Sequence, residues 1–247
     1  MADNFFWYDV MTSDTEAAGK FYRDVVGWEI QDSGSPGYTL FTVGGRGVAG
    51  LMSIPEDAKA MGVPPCWMGY VRVEDVDATA KRITQEGGKL HKGPIEIPGV
   101  IRLAVVADPQ GAGFLIAKPV PKEAPPTLAA GTPGTIGWRE LYAAEWQSAF
   151  AFYEKLFGWT KAEAHDMGPL GTYQLFAAGS EAIGGMMTKP PVVPTPYWGY
   201  YINVAAIDAA AARIVAGGGK IINGPMQVPG DQWIVQAIDP QGAVFSL

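Results

Sequence analysis

Two short segments of the chain carry an acidic residue two positions after a tryptophan. They are Trp7 with Asp9 and Trp138 with Glu140. If both segments are β-strands, side-chain alternation places each tryptophan and its acid on one face. An aromatic wall with a fixed polar group suits a planar or cationic organic molecule. The two acids are also the candidate general bases, Asp9 in one segment and Glu140 in the other.

The two segments belong to an internal repeat that covers nearly the whole chain. The run Asp108-Pro109-Gln110-Gly111-Ala112 returns unchanged 131 positions later, beginning at Asp239. The same offset relates Trp7 to Trp138, and further pairs share it: Phe21-Tyr22 with Phe152-Tyr153, Gly27-Trp28 with Gly158-Trp159, Trp67 with Trp198, and Asp77 with Asp208. A constant offset over so many positions indicates a tandem duplication of one fold.

In one stretch of each half the offset becomes 135. It relates Tyr38 to Tyr173 and Gly50 to Gly185. Small insertions in loops between conserved elements explain the change, because loops tolerate them. We place the second half's extra residues near 165–171, with His165 in that loop, and the compensating residues of the first half in the loop 54–65.

The pattern predicts two βαβββ modules in each half. In the first module we expect a strand Phe5–Thr12, then an Asp14-capped helix Thr15–Val26 that ends at Gly27, then three short strands. The predicted domains are residues 1–119 and 134–247. Between them lies a predicted linker, residues 120–133, whose prolines resist both helix and central strand.

These motifs resemble the vicinal oxygen chelate superfamily, which includes glyoxalase I, extradiol dioxygenases and bleomycin-resistance proteins. The resemblance rests on Phe21-Tyr22, Gly27-Trp28 and Asp108-Pro109-Gln110-Gly111, together with their repeats. It implies an α+β fold of two tandem domains, each with two βαβββ modules. Each domain would form a cup-shaped mixed and antiparallel sheet with helices outside and the ligand or metal site in the cup.

The resemblance also implies where metal ligands would lie, and the residues there are not metal ligands. Trp7, Met68 and Leu115 occupy the expected ligand positions on the first, fifth and eighth strands. In the second half the corresponding residues are Trp138, Gly199 and Ser246. Octahedral sites for Mn or Fe need His and carboxylate donors. We therefore expect no metal and no cofactor.

The cups are instead expected to bind a small, partly aromatic molecule. The residues predicted to line the first cup are Trp7, Asp9, Met68, Tyr70 and Arg72, and those predicted for the second are Trp138, Glu140, Tyr201 and Asn203. The first cup is the better candidate, because the forked cation of Arg72 can grip a carboxylate or phosphate. Two alternatives need no ligand. In one, Asp9 and Arg72 form an ion pair with each other; in the other, the aromatic side chains fill the cups as ordinary core residues.

Three functions remain open. The first is a metal-independent binding protein for a small organic ligand. The second is a glyoxalase-like lyase or a hydroxylase that uses Asp9 or Glu140 as general base. The third is a non-catalytic interaction scaffold, and the chain is expected to be a monomer or homodimer.

Composition excludes several other classes of function. The net charge is −7 and the pI about 4.9, which disfavours nucleic acid and anionic membranes as partners. A single cysteine, Cys66, excludes an intrachain disulfide, and we interpret it as an inert thiol. We interpret His91 and His165 as ordinary polar residues. Neither a signal peptide nor an apolar membrane span is visible, so a cytoplasmic location is expected.

Overall fold

The computed structural model describes residues 4–120 and 128–247. Half of the predicted linker, residues 121–127, lies outside the described residues. Within the described ranges, no helix is both long and apolar enough to cross a bilayer.

Within residues 4–120, the first half forms eight strands and three helices. The strands are β1 (Phe5–Thr12), β2 (Glu29–Asp32), β3 (Tyr38–Val43), β4 (Arg46–Ser53), β5 (Cys66–Arg72), β6 (Lys89–Ile97), β7 (Ile101–Ala107) and β8 (Gly113–Pro119). The helices are α1 (Thr15–Val26), α2 (Glu56–Ala60) and α3 (Val76–Gln85).

The second half repeats this order. Its strands are β9 (Ile136–Ala143), β10 (Thr160–Asp166), β11 (Thr172–Ala178), β12 (Glu181–Thr188), β13 (Tyr197–Ile202), β14 (Lys220–Val228), β15 (Gln232–Ile238) and β16 (Val244–Ser246). Its helices are α4 (Trp146–Phe157) and α5 (Ile207–Ala216), with a 3₁₀ turn at Gly168–Leu170.

The predicted fold class is confirmed, because each half builds two βαβββ modules into one eight-stranded mixed sheet. The first sheet has the strand order β2-β3-β4-β1-β5-β8-β7-β6, and the second has β10-β11-β12-β9-β13-β16-β15-β14. β1 runs parallel to β4 and β5 parallel to β8, whereas the hairpins are antiparallel. The predicted division into domains at residues 1–119 and 134–247 stays a prediction.

Two compact units can be distinguished, and each combines modules from both halves. The central unit comprises residues 4–6, 69–120 and 138–199, and the terminal unit comprises residues 7–68, 128–137 and 200–247. Each unit is described by itself below.

Two details differ from the sequence prediction. Residues 54–65, expected as a loop, contain the short helix α2, which begins after Pro55 with two acids, Glu56 and Asp57, in its first turn. Acids in the first turn are favoured by the helix dipole. His165, expected in a loop, lies in β10 opposite Tyr173, because a bulge between Lys161 and Ala164 lets the strand continue to Asp166.

The core of the terminal unit is organised by Tyr22, a fully buried side chain of α1. Its hydroxyl accepts a hydrogen bond from Trp67 Nε1 at 2.8 Å and donates one to Asp239 Oδ2 at 2.9 Å. Asp239 also accepts backbone N–H bonds within its own Asp-Pro-Gln-Gly turn. The repeated Phe-Tyr and Asp-Pro-Gln-Gly motifs therefore meet in the core, and they join the first module to the fourth.

The central unit contains the equivalent network. Trp198 Nε1 donates to the Tyr153 hydroxyl at 2.9 Å, and that hydroxyl donates to Asp108 Oδ2 at 3.1 Å. Burial raises the pKa of Asp108 and outweighs the opposing effect of its hydrogen bonds. Buried polar groups need such partners, so the network fixes the pairing of the second and third modules.

Candidate functional site

A cluster of three side chains lies within the terminal unit, and we call Trp7, Asp9 and Tyr38 the first cluster. Trp7 Nε1 donates to Asp9 Oδ1 at 2.9 Å and to the Tyr38 hydroxyl at 2.7 Å. The Tyr38 hydroxyl in turn donates to Asp9 Oδ1 at 2.7 Å. Asp9 is 3% exposed, whereas the tryptophan and the tyrosine are half-buried. The cluster is therefore a buried carboxylate beneath two partly accessible rings.

The first cluster exists because glycine occupies the facing position on β4. Gly50 lies opposite Asp9 in the parallel pairing of β1 with β4. A Cβ atom at Gly50 would overlap both the Tyr38 hydroxyl and the Asp9 carboxylate. The absence of a side chain therefore lets the Tyr38 ring reach across β4 to the acid.

The equivalent cluster lies within the central unit, and we call Trp138, Glu140 and Tyr173 the second cluster. Trp138 Nε1 donates to the Tyr173 hydroxyl at 2.8 Å, and Tyr173 is hydrogen-bonded to the Glu140 carboxylate. Glu140 is 6% exposed, and the two rings are half-buried. Gly185 lies opposite Glu140, and a Cβ atom there would overlap the Tyr173 ring.

The second cluster has two further aromatic neighbours. Tyr142 on β9 and Tyr197 on β13 stack with ring centroids 5.0 Å apart and planes 11° apart. Burial, followed by the charge of Glu140, raises the pKa of Tyr197. Tyr142 contributes to the raised pKa of Tyr173 after burial and the charge of Glu140. At the repeat offset of 131, the first half has Met11 and Cys66 in their places.

The cluster tyrosines remain protonated at neutral pH. Burial, followed by the charge of Asp9, raises the pKa of Tyr38 far above its ordinary value. Burial and the charge of Glu140 do the same to the pKa of Tyr173. Each phenol is therefore a hydrogen-bond donor to its carboxylate.

The other predicted lining residues of the first half have different surroundings. Met68 is half-buried, and Tyr70 is 7% exposed with its ring 6.3 Å from that of Phe6. Arg72 is exposed, and its guanidinium carbon lies 4.7 Å from the centre of the Phe6 ring. The Arg72 contact that the structure shows is thus a cation–π contact.

The remaining predicted residues of the second half make hydrogen bonds within the terminal unit. Tyr201 is 8% exposed, and its hydroxyl accepts from Gln236 Nε2 at 2.7 Å. The Asn203 amide donates to Thr135 Oγ1 at 2.9 Å. Its backbone N–H donates to Thr135 O at 2.8 Å. These bonds give Asn203 a role in holding the segment that leads into β9.

Histidine and cysteine side chains lie outside the two clusters. His91 is exposed, and His165 lies 3.9 Å from Glu163. Burial raises the pKa of Cys66 to about 11, so its thiol stays protonated and weakly nucleophilic. Among residues 4–120 and 128–247, no three His, Cys, Asp or Glu side chains are grouped to hold a metal ion.

Sequence reasoning named the tryptophans and acids of the clusters but missed their tyrosine partners. Tyr38 and Tyr173 lie on β3 and β11, away in sequence from the strands that carry the acids. The available signal was the offset of 135, which relates both these tyrosines and the glycines Gly50 and Gly185 that make room for them.

Comparison with known proteins identifies the family. The model of the Glyoxalase/Bleomycin resistance protein/Dioxygenase superfamily matches residues 4–116 and again residues 135–247. The chain belongs to this superfamily. The tandem resemblance inferred from the repeated motifs is thereby confirmed.

Relatives of similar length exist within the superfamily. "Putative glyoxylase CFP32" of Mycobacterium bovis is 34% identical over 98% of this chain and 92% of its own length. "Anthracycline biosynthesis protein DauV" of Streptomyces sp. strain C5 is 30% identical over 98% of this chain and 91% of its own. Among solved structures, the Mn(II)-bound glyoxalase of Novosphingobium aromaticivorans has a TM-score of 0.66 at 19% identity. The structural match covers 99% of this chain and 80% of the glyoxalase chain. At this identity, the similarity shows the fold alone.

Proposed function

We propose that this superfamily member binds a small, partly aromatic organic molecule at its Trp–carboxylate–Tyr clusters. The observation that carries the proposal is the buried acid beneath half-buried rings in both copies, Asp9 in one and Glu140 in the other. In each copy a glycine keeps open the space that the tyrosine enters. Apolar ring surface with one fixed charge is the usual composition of a small-molecule site.

Binding is proposed to need no transition metal. The positions at which the superfamily resemblance places metal ligands hold Trp7, Met68 and Leu115 in one half. An indole nitrogen carries a hydrogen and acts only as a donor, and here Trp7 Nε1 donates to Asp9. Leu115 is 6% exposed and has no donor atom. These side chains do not fit an octahedral Mn or Fe site.

The names of the relatives support an aromatic ligand class. The relative that is 30% identical is named for anthracycline biosynthesis, and anthracyclines carry planar fused rings. Such a ring system can stack on tryptophan and tyrosine faces. An anthracycline is therefore the first probe for the clusters of this chain.

The hydrogen bond from Tyr38 to Asp9 favours a second candidate function. A carboxylate oriented by a neutral phenol can accept a proton from a bound substrate, while the single phenol hydrogen stays in its bond to the carboxylate. Asp9 would then act as general base in a lyase-like or hydroxylase-like reaction. Asp9→Asn separates the two candidates, because it should abolish turnover and leave much of the ring stacking intact.

The test is a ligand screen on protein dialysed against a chelator. We expect an anthracycline to raise Tm and to quench tryptophan emission, and Trp7→Phe or Trp138→Phe to reduce the quenching. Trp233→Phe is the matched control, because Trp233 is 51% exposed on β15, outside both clusters. A broad aromatic panel that moves neither Tm nor emission would overturn the proposed function. Quenching reduced equally by Trp233→Phe would show binding elsewhere.

A further inference from the structure

The second cluster differs from the first in the number of rings near its acid. Trp138 and Tyr173 are joined there by the stacked pair Tyr142 and Tyr197. The first half has Met11 and Cys66 at the two added positions. Trp138, Glu140 and Tyr142 alternate onto one face of β9. Tyr197 stacks on Tyr142, and Tyr173 is hydrogen-bonded to Trp138, so four aromatic rings lie on the side of the strand that carries Glu140.

The negative charge of this cluster is concentrated on one side chain. The charge of Glu140 adds to burial in raising the pKa of both Tyr173 and Tyr197, so these phenols stay neutral. The aromatic faces around the acid carry partial negative charge as well. A cation placed among them would be attracted by the carboxylate and by the rings together.

The site also has an accessible side. Glu140 is 6% exposed and Tyr142 is 9% exposed, so both are buried. Trp138, Tyr173 and Tyr197 are half-buried, so part of each ring is open to a ligand. Accessible aromatic rings beside a carboxylate are the components from which an aromatic cage for an organic ammonium group is built.

We propose that the second cluster, with Tyr142 and Tyr197, is an aromatic cage for an organic ammonium group, with Glu140 as its counter-charge. The expected ligand is a protonated or quaternary amine attached to an apolar or aromatic body. This rests on the proposed small-molecule function and adds the charge of the ligand. A divalent metal ion is disfavoured, because such an ion prefers several oxygen ligands and the cage offers one carboxylate.

The first cluster is not expected to share this preference. Its acid, Asp9, receives both the Trp7 and the Tyr38 hydrogen bond on the same oxygen. With Met11 and Cys66 in place of the stacked tyrosines, it offers fewer ring faces to a cation. The two copies of the duplication would thus differ in ligand charge.

The test compares a cation with its neutral carbon isostere. Benzyltrimethylammonium chloride and neopentylbenzene are titrated separately into the full chain at matched chloride, and binding is followed by ligand NMR. We expect the cation to bind about tenfold more tightly or better, which corresponds to about 1.4 kcal/mol. Glu140→Gln should remove about tenfold of the affinity for the cation and leave that for neopentylbenzene unchanged.

Two further variants make the test specific to the cage. Glu163→Gln removes an equal charge from a side chain that is 73% exposed in the same unit, and it should not change the affinity. Tyr197→Cys installs the residue type of the first copy and should weaken cation binding severalfold. Tyr197→Cys also tests the cage if Glu140→Gln does not fold.

The outcomes separate this inference from the proposed function. Equal affinity for both probes, or unchanged cation affinity in folded Glu140→Gln or in Tyr197→Cys, overturns the ammonium cage and leaves aromatic binding intact. The cage is also overturned if neither probe binds while an anthracycline does. If no aromatic compound binds at all, the proposed function fails with it.

Discussion

The first and second clusters occupy equivalent positions of the repeat but connect their acids differently. In the first, Trp7 and Tyr38 both donate to one oxygen of Asp9. In the second, Trp138 donates to Tyr173, which is hydrogen-bonded to the longer side chain of Glu140. The tryptophan, the tyrosine and the glycine are the same in both copies, while the acid and the neighbouring rings have changed.

The buried Tyr–Trp–Asp networks show no such difference. Tyr22 and Tyr153 each accept from a tryptophan and donate to the aspartate of an Asp-Pro-Gln-Gly turn. These networks join modules and carry the packing of the two units. The two copies therefore share the residues of their packing networks and differ in the residues around their acids.

The largest loss of stability is expected from placing a side chain at the glycine beside either acid. Gly185→Ala and Gly50→Ala should each lower the free energy of unfolding by about 1–3 kcal/mol, because the new Cβ overlaps the cluster tyrosine. Gly199→Ala is the matched control, since its Cβ would meet its nearest neighbour at an ordinary 3.7 Å. Urea denaturation measures all three. Equal stability of Gly185→Ala and Gly199→Ala would contradict the packing described for the second cluster.

The next largest loss of stability is expected from variants of the two buried networks, and the two losses should be similar. Tyr22→Phe and Tyr153→Phe each remove a hydroxyl that joins a tryptophan to an aspartate. Leaving the buried indole N–H of the tryptophan unpaired costs about 1–3 kcal/mol. Chemical denaturation should give losses that agree within about 0.5 kcal/mol. A large loss in one variant and none in the other would show that the networks are not equivalent.

A smaller effect is expected from the cluster tyrosines. Tyr38→Phe should cost about 0.5–1.5 kcal/mol, since Asp9 retains the Trp7 bond on the same oxygen. Tyr173→Phe should cost more, because it removes the hydroxyl to which Trp138 Nε1 donates, whereas Trp7 Nε1 keeps its bond to Asp9. The difference in unfolding midpoint between the two variants is the measurement. The reverse order would contradict the hydrogen-bonding difference between the clusters.

The smallest effect is the alkaline pH dependence of stability. The folded-state pKa of Tyr38 and of Tyr173 is raised above the unfolded value of about 10. Their contribution is therefore complete below pH 10 and is lost as pH rises through and beyond it, by about 0.4 kcal/mol per tyrosine at pH 10. Between pH 8 and 10 the wild type should lose more stability than the Tyr38→Phe/Tyr173→Phe double variant. Parallel losses would mean that these phenols ionise normally.

Much of the fold could be predicted from the sequence, because local signals and the repeat agree. β1 and α1 have the predicted bounds. Asp14 caps α1 by accepting from the Ala17 N–H, and Gly27 ends it with a φ of 90°. Such caps and glycines are local properties that a sequence displays directly.

The clusters could be predicted only in part, because they depend on strand register. Alternation placed Trp7 and Asp9 together within one strand. Tyr38 reaches Asp9 only because β3 pairs with β4 and β4 with β1, and because Gly50 has no side chain. Those pairings are long-range, and no local pattern specifies them.

The central claim is that the clusters bind an aromatic ligand without a metal. The most direct test is calorimetric titration of an anthracycline into chelator-treated wild type and into the Trp7→Leu/Trp138→Leu double variant. We predict saturable binding to the wild type that added Mn²⁺ does not strengthen, and affinity at least about tenfold weaker in the double variant. Binding that appears only after Mn²⁺ is added, or that is equally tight in the folded double variant, would contradict the claim.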